Sequence, residues 1–228
     1  MAPSDILRLA VFDCDGTLVD SQHSIVAAMQ AACGRHGLEP PAHDAVKRLV
    51  GLPLLDCIRI LLPGSAEAVV GRVREAYAEV FHAMRMDGQV TDPLFLGARE
   101  AIDAVERAGW LLGLATGKSH RGLIATLERH ELVERFVTLQ TADRAAGKPN
   151  PEMLLNAMAE TGAPPASTVM IGDTTYDMEM ARNAGTLAIG VAWGYHEADE
   201  LRDAGAHVVI GAFSELPSAL HGLMEKVA

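Results

Sequence analysis

The chain has 228 residues, of which 49% are hydrophobic and only 4% aromatic, so its core must be built mainly from aliphatic side chains. Its 30 acidic residues outnumber its 19 lysines and arginines, and the formal net charge of -11 argues against a nucleic acid or an anionic membrane surface as a partner. No apolar stretch approaches the ~18 residues of a membrane span, and no signal peptide is evident. The three cysteines are scattered and do not make a disulfide framework. We therefore expect a soluble, cytoplasmic protein.

The first predicted element is a buried strand at residues 6–12, an apolar run that stops at the turn sequence DCDG. Residues 21–90 then show apolar residues only at helical spacing, as in Ile25, Met29 and Cys33. This segment predicts an all-helical unit inserted directly after the first strand.

Strands and helices alternate in the rest of the chain. Apolar runs predict strands at residues 110–115, 136–139, 168–171, 186–192 and 207–210. Helices are predicted at residues 97–108, at residues 119–130 and from Asn150 onward, with Gly162 and Gly185 as helix stops. Near-continuous apolar strands that alternate with helices are typical of a doubly wound, parallel α/β sheet. The predicted domains are an α/β core of residues 1–17 and 91–228 and a helical cap of residues 18–90.

Four short polar motifs follow predicted strands, where an open parallel sheet binds its ligands. They read DCDGT from Asp13, TGK from Thr116, GKP from Gly147 and GD from Gly172. Residues two apart in an extended strand point to the same side, so the Asp13 and Asp15 carboxylates should face one cleft, unless the motif is only a polar turn.

Asp173 and Asp177 are four residues apart, which places them on one face of a helical first turn. A helix dipole alone would also favour acids there. Four carboxylates that converge on one sheet edge need a cation, and ligation by oxygen alone favours Mg²⁺. We expect Asp13 and Asp173 to bind it directly, Asp15 through its carbonyl, and Asp177 directly or through water.

Lys148 provides a local positive charge in an acidic chain, and its flanking residues make the loop stiff. Thr116 and Gly117 could together hold phosphate oxygens, although Thr116 could instead cap the next helix. Lys118 could help, but a surface position is the more common one for a lysine.

The segments FDCDGTLVDS, LATGKS, AGKPNPE and MIGDTTYD resemble, in order, the four motifs of the haloacid dehalogenase superfamily. The helical insertion is similar to the C1-type cap of that superfamily. The resemblance covers essentially the whole chain, and the chain looks most like the phosphoglycolate phosphatase group. It implies a Rossmann-like core with an inserted helical cap.

The resemblance implies that Asp13 attacks phosphorus to form an aspartyl-phosphate, while Asp15 protonates the leaving group and then activates water. Thr116 and Lys148 would hold the phosphoryl oxygens. The expected metal ligands are Asp13, Asp15, Asp173 and Asp177. The expected substrate-binding residues are Gly16, Thr17, Gly117 and Lys118.

These expectations describe a Mg²⁺-dependent phosphatase that acts on a small phosphorylated metabolite, with 2-phosphoglycolate as the leading substrate. A sugar phosphomutase, a pyrophosphatase and a non-catalytic binding module remain alternatives. The presence of Asp15 favours phosphate-ester chemistry over halide displacement, because the members of the superfamily that displace halide lack an acid at the matching position. The turn at residues 51–53 is a candidate for a cap loop that reaches the site, and the chain is expected to act as a monomer or homodimer.

Overall fold

A computed structural model describes residues 6–227. Residues 1–5 and 228, which the sequence assigns to the core domain, lie outside the described residues. The strands within them are β1 (Leu9–Phe12), β2 (Leu111–Thr116), β3 (Thr138–Thr141), β4 (Thr168–Gly172), β5 (Leu187–Val191) and β6 (Val208–Ile210). They form one parallel sheet in the order β3-β2-β1-β4-β5-β6, which confirms the predicted doubly wound α/β fold.

Five helices lie between β1 and β2, and the first four form the helical insertion. These four are α1 (Gln22–Arg35), α2 (His43–Lys47), α3 (Leu54–Leu61) and α4 (Glu67–Met86). The helices of the α/β part are α5 (Ala98–Arg107), α6 (His120–Arg129), α7 (Glu152–Thr161), α8 (Thr175–Ala184), α9 (Ala198–Ala204) and α10 (Leu216–Val227). Gly162 and Gly185 end α7 and α8 in the left-handed conformation, as predicted.

The sheet is buried on both faces, which explains why its strands are almost continuously apolar. In β1, Ala10 and Phe12 join the hydrophobic cluster on one face, and Leu9 and Val11 join the cluster on the other. All four side chains are fully buried. The strand begins at Leu9 rather than at residue 6, because the exposed Ile6 and Leu7 have no sheet partner to pack against.

The helical insertion has a small core of its own. Met29 of α1, Ile58 of α3 and Val73 of α4 are buried together in it, so these helices pack mainly on one another. The two chain segments that lead into and out of the insertion pair side by side, with a bridge between Val19 and Leu94. We propose that the cap domain is residues 18–90, with these paired segments as its connection to the core.

The strand order places β1 and β4 side by side at the point where the direction of winding reverses. In open α/β sheets this switch point is where ligands bind, beyond the carboxyl ends of the strands. The DCDGT motif follows β1 and the GD motif follows β4, so the topology brings them together. Among residues 6–227, the helices include none that is both long and apolar enough to cross a bilayer.

Candidate active site

The site is built on Asp13 and Asp15, which directly follow β1. Both line one cavity, while Cys14 between them is buried in the hydrophobic core, as the alternation of an extended strand predicts. The Asp13 backbone N–H donates to the carbonyl of Ile171 in β4, over 2.9 Å, and ties the two strand ends together. The Cys14 N–H donates to Asp13 Oδ1 over 2.6 Å, which fixes the orientation of that carboxylate.

Asp173 follows β4 and is fully buried. Its Oδ1 accepts a hydrogen bond from the Thr17 hydroxyl over 2.7 Å, and its Oδ2 accepts one from the Tyr195 N–H over 2.9 Å. Gly16 has a φ of +84°, and a Cβ atom there would lie 2.2 Å from Asp173 Oδ2. Only glycine therefore fits between the DCDGT turn and this carboxylate.

Asp177 and Lys148 complete a buried charge cluster. Asp177 Oδ2 caps α8 by accepting from the Thr174 N–H and hydroxyl, over 3.1 and 2.7 Å. The Lys148 ammonium lies 2.6 Å from Asp177 Oδ1 and 2.9 Å from Asp13 Oδ1, with no exposed surface of its own. Asp177 thus serves both as a helix cap and as a partner of the lysine.

The electrostatics of this cluster are strongly perturbed. Burial, which the nearby Lys148 only partly offsets, raises the pKa of Asp13 from 3.8 to about 7. Burial and the nearby charges of Asp13 and Asp177 raise the pKa of Asp173 well above its usual value. Burial alone would lower the pKa of Lys148, but Asp13 and Asp177 outweigh it, so that pKa is raised and the ammonium stays charged.

Oxygen atoms of Asp13, Asp173 and Asp177 lie within 4.8 Å of one another. Three carboxylates and one ammonium leave a formal excess of two negative charges, which matches one divalent cation. Among the described residues, Asp13 Oδ2 is buried without a hydrogen-bond partner. A hard cation bound by oxygen would satisfy it, so these residues fit a divalent metal ion. The Asp15 carboxylate is outside this cluster.

The Asp15 carboxylate contacts a different cation, the Lys118 ammonium. Its Oδ1 accepts hydrogen bonds from the Ser21 hydroxyl and from the Lys118 ammonium. The Lys118 side chain is only 11% exposed, so the expectation of a surface lysine is wrong. Ser21 was not singled out from the sequence, although it lies at the end of the FDCDGTLVDS segment. Together these contacts hold the Asp15 carboxylate at the floor of the cavity.

Thr116, Gly117 and Lys118 also line this cavity beside Asp13 and Asp15. The Thr116 hydroxyl accepts from the Lys118 N–H over 3.2 Å, which orders the turn that follows β2. Gly16 and Thr17 are not among the cavity-lining residues and contact Asp173 instead. Their predicted contact with the substrate stays a prediction.

A loop after β5 supports the site and was missed by the sequence analysis. Its Tyr195 N–H binds Asp173, and its Trp193 indole N–H donates to the Thr17 carbonyl over 3.0 Å. A Cβ atom on Gly194 would lie 2.1 Å from the Asp173 Cβ. The only available signal was the position of this segment after an apolar strand.

The cap closes over the core at the turn of residues 51–53. A Cβ atom on Gly147 would lie 2.0 Å from Pro53 Cγ, and one on Gly117 would lie 2.7 Å from the Gly51 carbonyl oxygen. The cap also contacts the core at Arg48, whose guanidinium donates to both carboxylate oxygens of Glu200 over 2.8 Å. Residues of the helical insertion and of the α/β part therefore both line the cavity of about 550 Å³ that contains Asp13 and Asp15.

Comparisons with known proteins agree with this geometry. The sequence model of the haloacid dehalogenase-like hydrolases matches residues 10–191, which include all four motifs. The chain is 39% identical to a probable phosphatase IndB from Dickeya dadantii, with 95% of each chain covered. It is 32% identical to an N-acetylmuramic acid 6-phosphate phosphatase from Pseudomonas putida, over 90% of this chain and 92% of that one. It is 29% identical to a phosphoglycolate phosphatase from Agrobacterium fabrum, over 96% and 95%.

Proposed function

Because this chain belongs to the haloacid dehalogenase-like hydrolase family, we propose that it is a Mg²⁺-dependent phosphatase that hydrolyses a phosphorylated metabolite through an aspartyl-phosphate. One observation carries the proposal: the buried cluster of Asp13, Asp173, Asp177 and Lys148 at the switch point of the sheet. Relatives that match at least 90% of this chain and carry phosphatase names support it.

The proposed first step uses Asp13 as the nucleophile. One of its carboxylate oxygens forms a bond to phosphorus while the bond from phosphorus to the leaving oxygen breaks. Asp15, at the floor of the same cavity, donates a proton to that leaving oxygen. In the second step Asp15 takes a proton from water as the water oxygen bonds to phosphorus, and the Asp13 carboxylate is released.

Lys148 and Thr116 are proposed to hold the phosphoryl oxygens where negative charge develops. Lys148 is suited to this role because two carboxylates hold its ammonium charged and in one position. A Mg²⁺ ion, held directly by Asp13 and Asp173, would neutralise charge on the phosphoryl group. With one oxygen capping α8 and the other beside Lys148, Asp177 is better placed to act through water.

The proposal is tested with p-nitrophenyl phosphate as a generic phosphomonoester. The purified protein should release phosphate in Mg²⁺, lose activity in a chelator and recover it when Mg²⁺ is restored. Asp13→Asn should abolish turnover, because an amide is a poor nucleophile. Asp199→Asn, a matched change at an exposed acid of α9, should retain full activity. Normal turnover by Asp13→Asn would defeat the nucleophile assignment.

The intermediate has its own test. Mass spectrometry of acid-quenched enzyme should find a phosphoryl group on the peptide that contains Asp13. Formation of an isomeric product without phosphate release would instead indicate a phosphomutase. Binding of phosphate esters without any turnover in Mg²⁺ would indicate a non-catalytic module.

A further inference from the structure

The cavity above the proposed catalytic groups is far larger than a phosphate and a two-carbon acid. Its volume is about 550 Å³, within the range of about 300–1,000 Å³ of sites that enclose drug-sized molecules. For comparison, one water molecule occupies about 30 Å³ in the liquid. 2-Phosphoglycolate bound at Asp13 would therefore leave most of this space unfilled.

The walls of the cavity are mainly carbon. Met29 of α1 and Leu54 of α3 line it together with two aromatic side chains of α4, Tyr77 and Phe81. The two rings lie one helical turn apart, with centroids 5.7 Å apart and planes inclined by 32°. Neighbouring rings at this inclination form an extended aromatic surface on which a planar or ring-shaped group can pack.

The cations near the floor of the cavity are already paired. Lys118 binds Asp15, and Lys148 binds Asp13 and Asp177. Arg74, Arg85 and Arg121 also line the cavity, so charge does not by itself exclude an anionic leaving group. A ring-sized leaving group would bury apolar surface against the apolar walls, which is favourable.

We infer that the enzyme acts on phosphate monoesters whose leaving group is a ring-sized moiety that packs on Tyr77 and Phe81. This inference rests on the proposed function, because it requires the phosphate to bind at Asp13. It assigns the two rings as specificity-determining residues, while the phosphate is held by the core.

The experiment measures kcat/KM of the wild-type enzyme for 1-naphthyl phosphate and for 2-phosphoglycolate in Mg²⁺. We expect the naphthyl ester to be preferred by at least about tenfold, the scale on which apolar contacts discriminate substrates. A preference for 2-phosphoglycolate would overturn the inference and leave the proposed phosphatase function intact. Failure to hydrolyse either ester, or p-nitrophenyl phosphate, would defeat the proposed function and this inference with it.

Substitution of the two aromatic residues provides a second test of the inference. In Tyr77→Ala and Phe81→Ala the ratio of the two kcat/KM values should shift toward 2-phosphoglycolate by about tenfold, mainly through a higher KM for the naphthyl ester. The ratio compares two substrates on one preparation, so a partly unfolded variant still gives a valid answer. Ile60→Ala, a matched truncation on the exposed side of α3, should leave the ratio unchanged. An unchanged ratio in both ring variants would contradict the assignment.

Discussion

The Lys148 ammonium contacts both the Asp13 and the Asp177 carboxylates, and its side chain has no exposed surface. Lys148→Met keeps most of the side-chain volume but leaves the buried acids without their cation. We expect the free energy of unfolding, measured in urea at pH 8 without divalent ions, to fall by roughly 3–5 kcal/mol. Mg²⁺ should recover part of this loss, because it restores positive charge to the cluster.

Lys226→Met is the control for this change, since Lys226 is exposed on α10. Its unfolding free energy should stay within about 0.5 kcal/mol of wild type, with and without Mg²⁺. A Lys148→Met protein as stable as wild type in the absence of Mg²⁺ would show that the acids do not depend on this lysine.

Individual site residues differ in how far the sequence could predict their positions. Asp13 and Asp173 follow apolar strands and Thr116 ends one, so the topology of a parallel sheet was enough to predict that they lie at one edge. The pairing of Asp15 with Lys118 was not predicted, because it depends on the conformation of the side chains. A lysine is exposed in most proteins, and nothing in the letters TGK distinguishes one that folds back onto an acid.

The turn at residues 51–53 docks on two loops of the core, at Gly117 and at Gly147. Gly147→Ala would place a Cβ atom 2.0 Å from Pro53 Cγ, so the turn must move away from the site. Displacement of about 1 Å can lower catalysis about 100-fold, and we expect kcat/KM for p-nitrophenyl phosphate to fall by about tenfold or more. The measurement is steady-state kinetics in saturating Mg²⁺.

Gly71→Ala is the matched control for this prediction. Gly71 lies inside α4, and a Cβ atom there would meet nothing within 4 Å. An alanine in a helix interior is favoured over glycine by roughly 0.5–1 kcal/mol, so this variant should be active and slightly more stable. If Gly147→Ala retained wild-type kcat/KM, close docking of the cap turn would not be needed for catalysis.

Hydrophobic periodicity predicted the long elements better than the short ones. Buried strands and helices such as α4 have many apolar positions that repeat with one period. Helix α2 has five residues with Val46 as its one buried side chain, too few to show a period, so its bounds could not be predicted within the helical insertion. The loop after β5 supports Asp173 through the Tyr195 backbone N–H, and a backbone group leaves no pattern in the sequence.

For the molecule as a whole, the formal charge of -11 would repel an anionic substrate. The fold concentrates positive charge where the substrate phosphate is proposed to bind, since Lys118 and Lys148 both lie at the carboxyl edge of the sheet. A divalent ion in the acidic cluster would add to this local positive charge. Metal binding should therefore be coupled both to substrate binding and to the stability of the whole chain.

That coupling predicts how stability responds to pH. Burial raises the pKa of Asp13 to about 7 and also raises the pKa of Asp173, so both hold protons more tightly in the folded protein than in the unfolded chain. Their protonation favours folding below about pH 4, and this contribution is lost as pH rises toward 7.

Mg²⁺ must displace those protons at low pH but binds free carboxylates above pH 7. The increase in Tm on adding Mg²⁺ should therefore be larger at pH 8 than at pH 5.5, as measured by scanning calorimetry. Asp173→Asn should abolish most of the increase at pH 8, whereas equal increases at both pH values in the wild-type protein would show that Mg²⁺ does not compete with these protons.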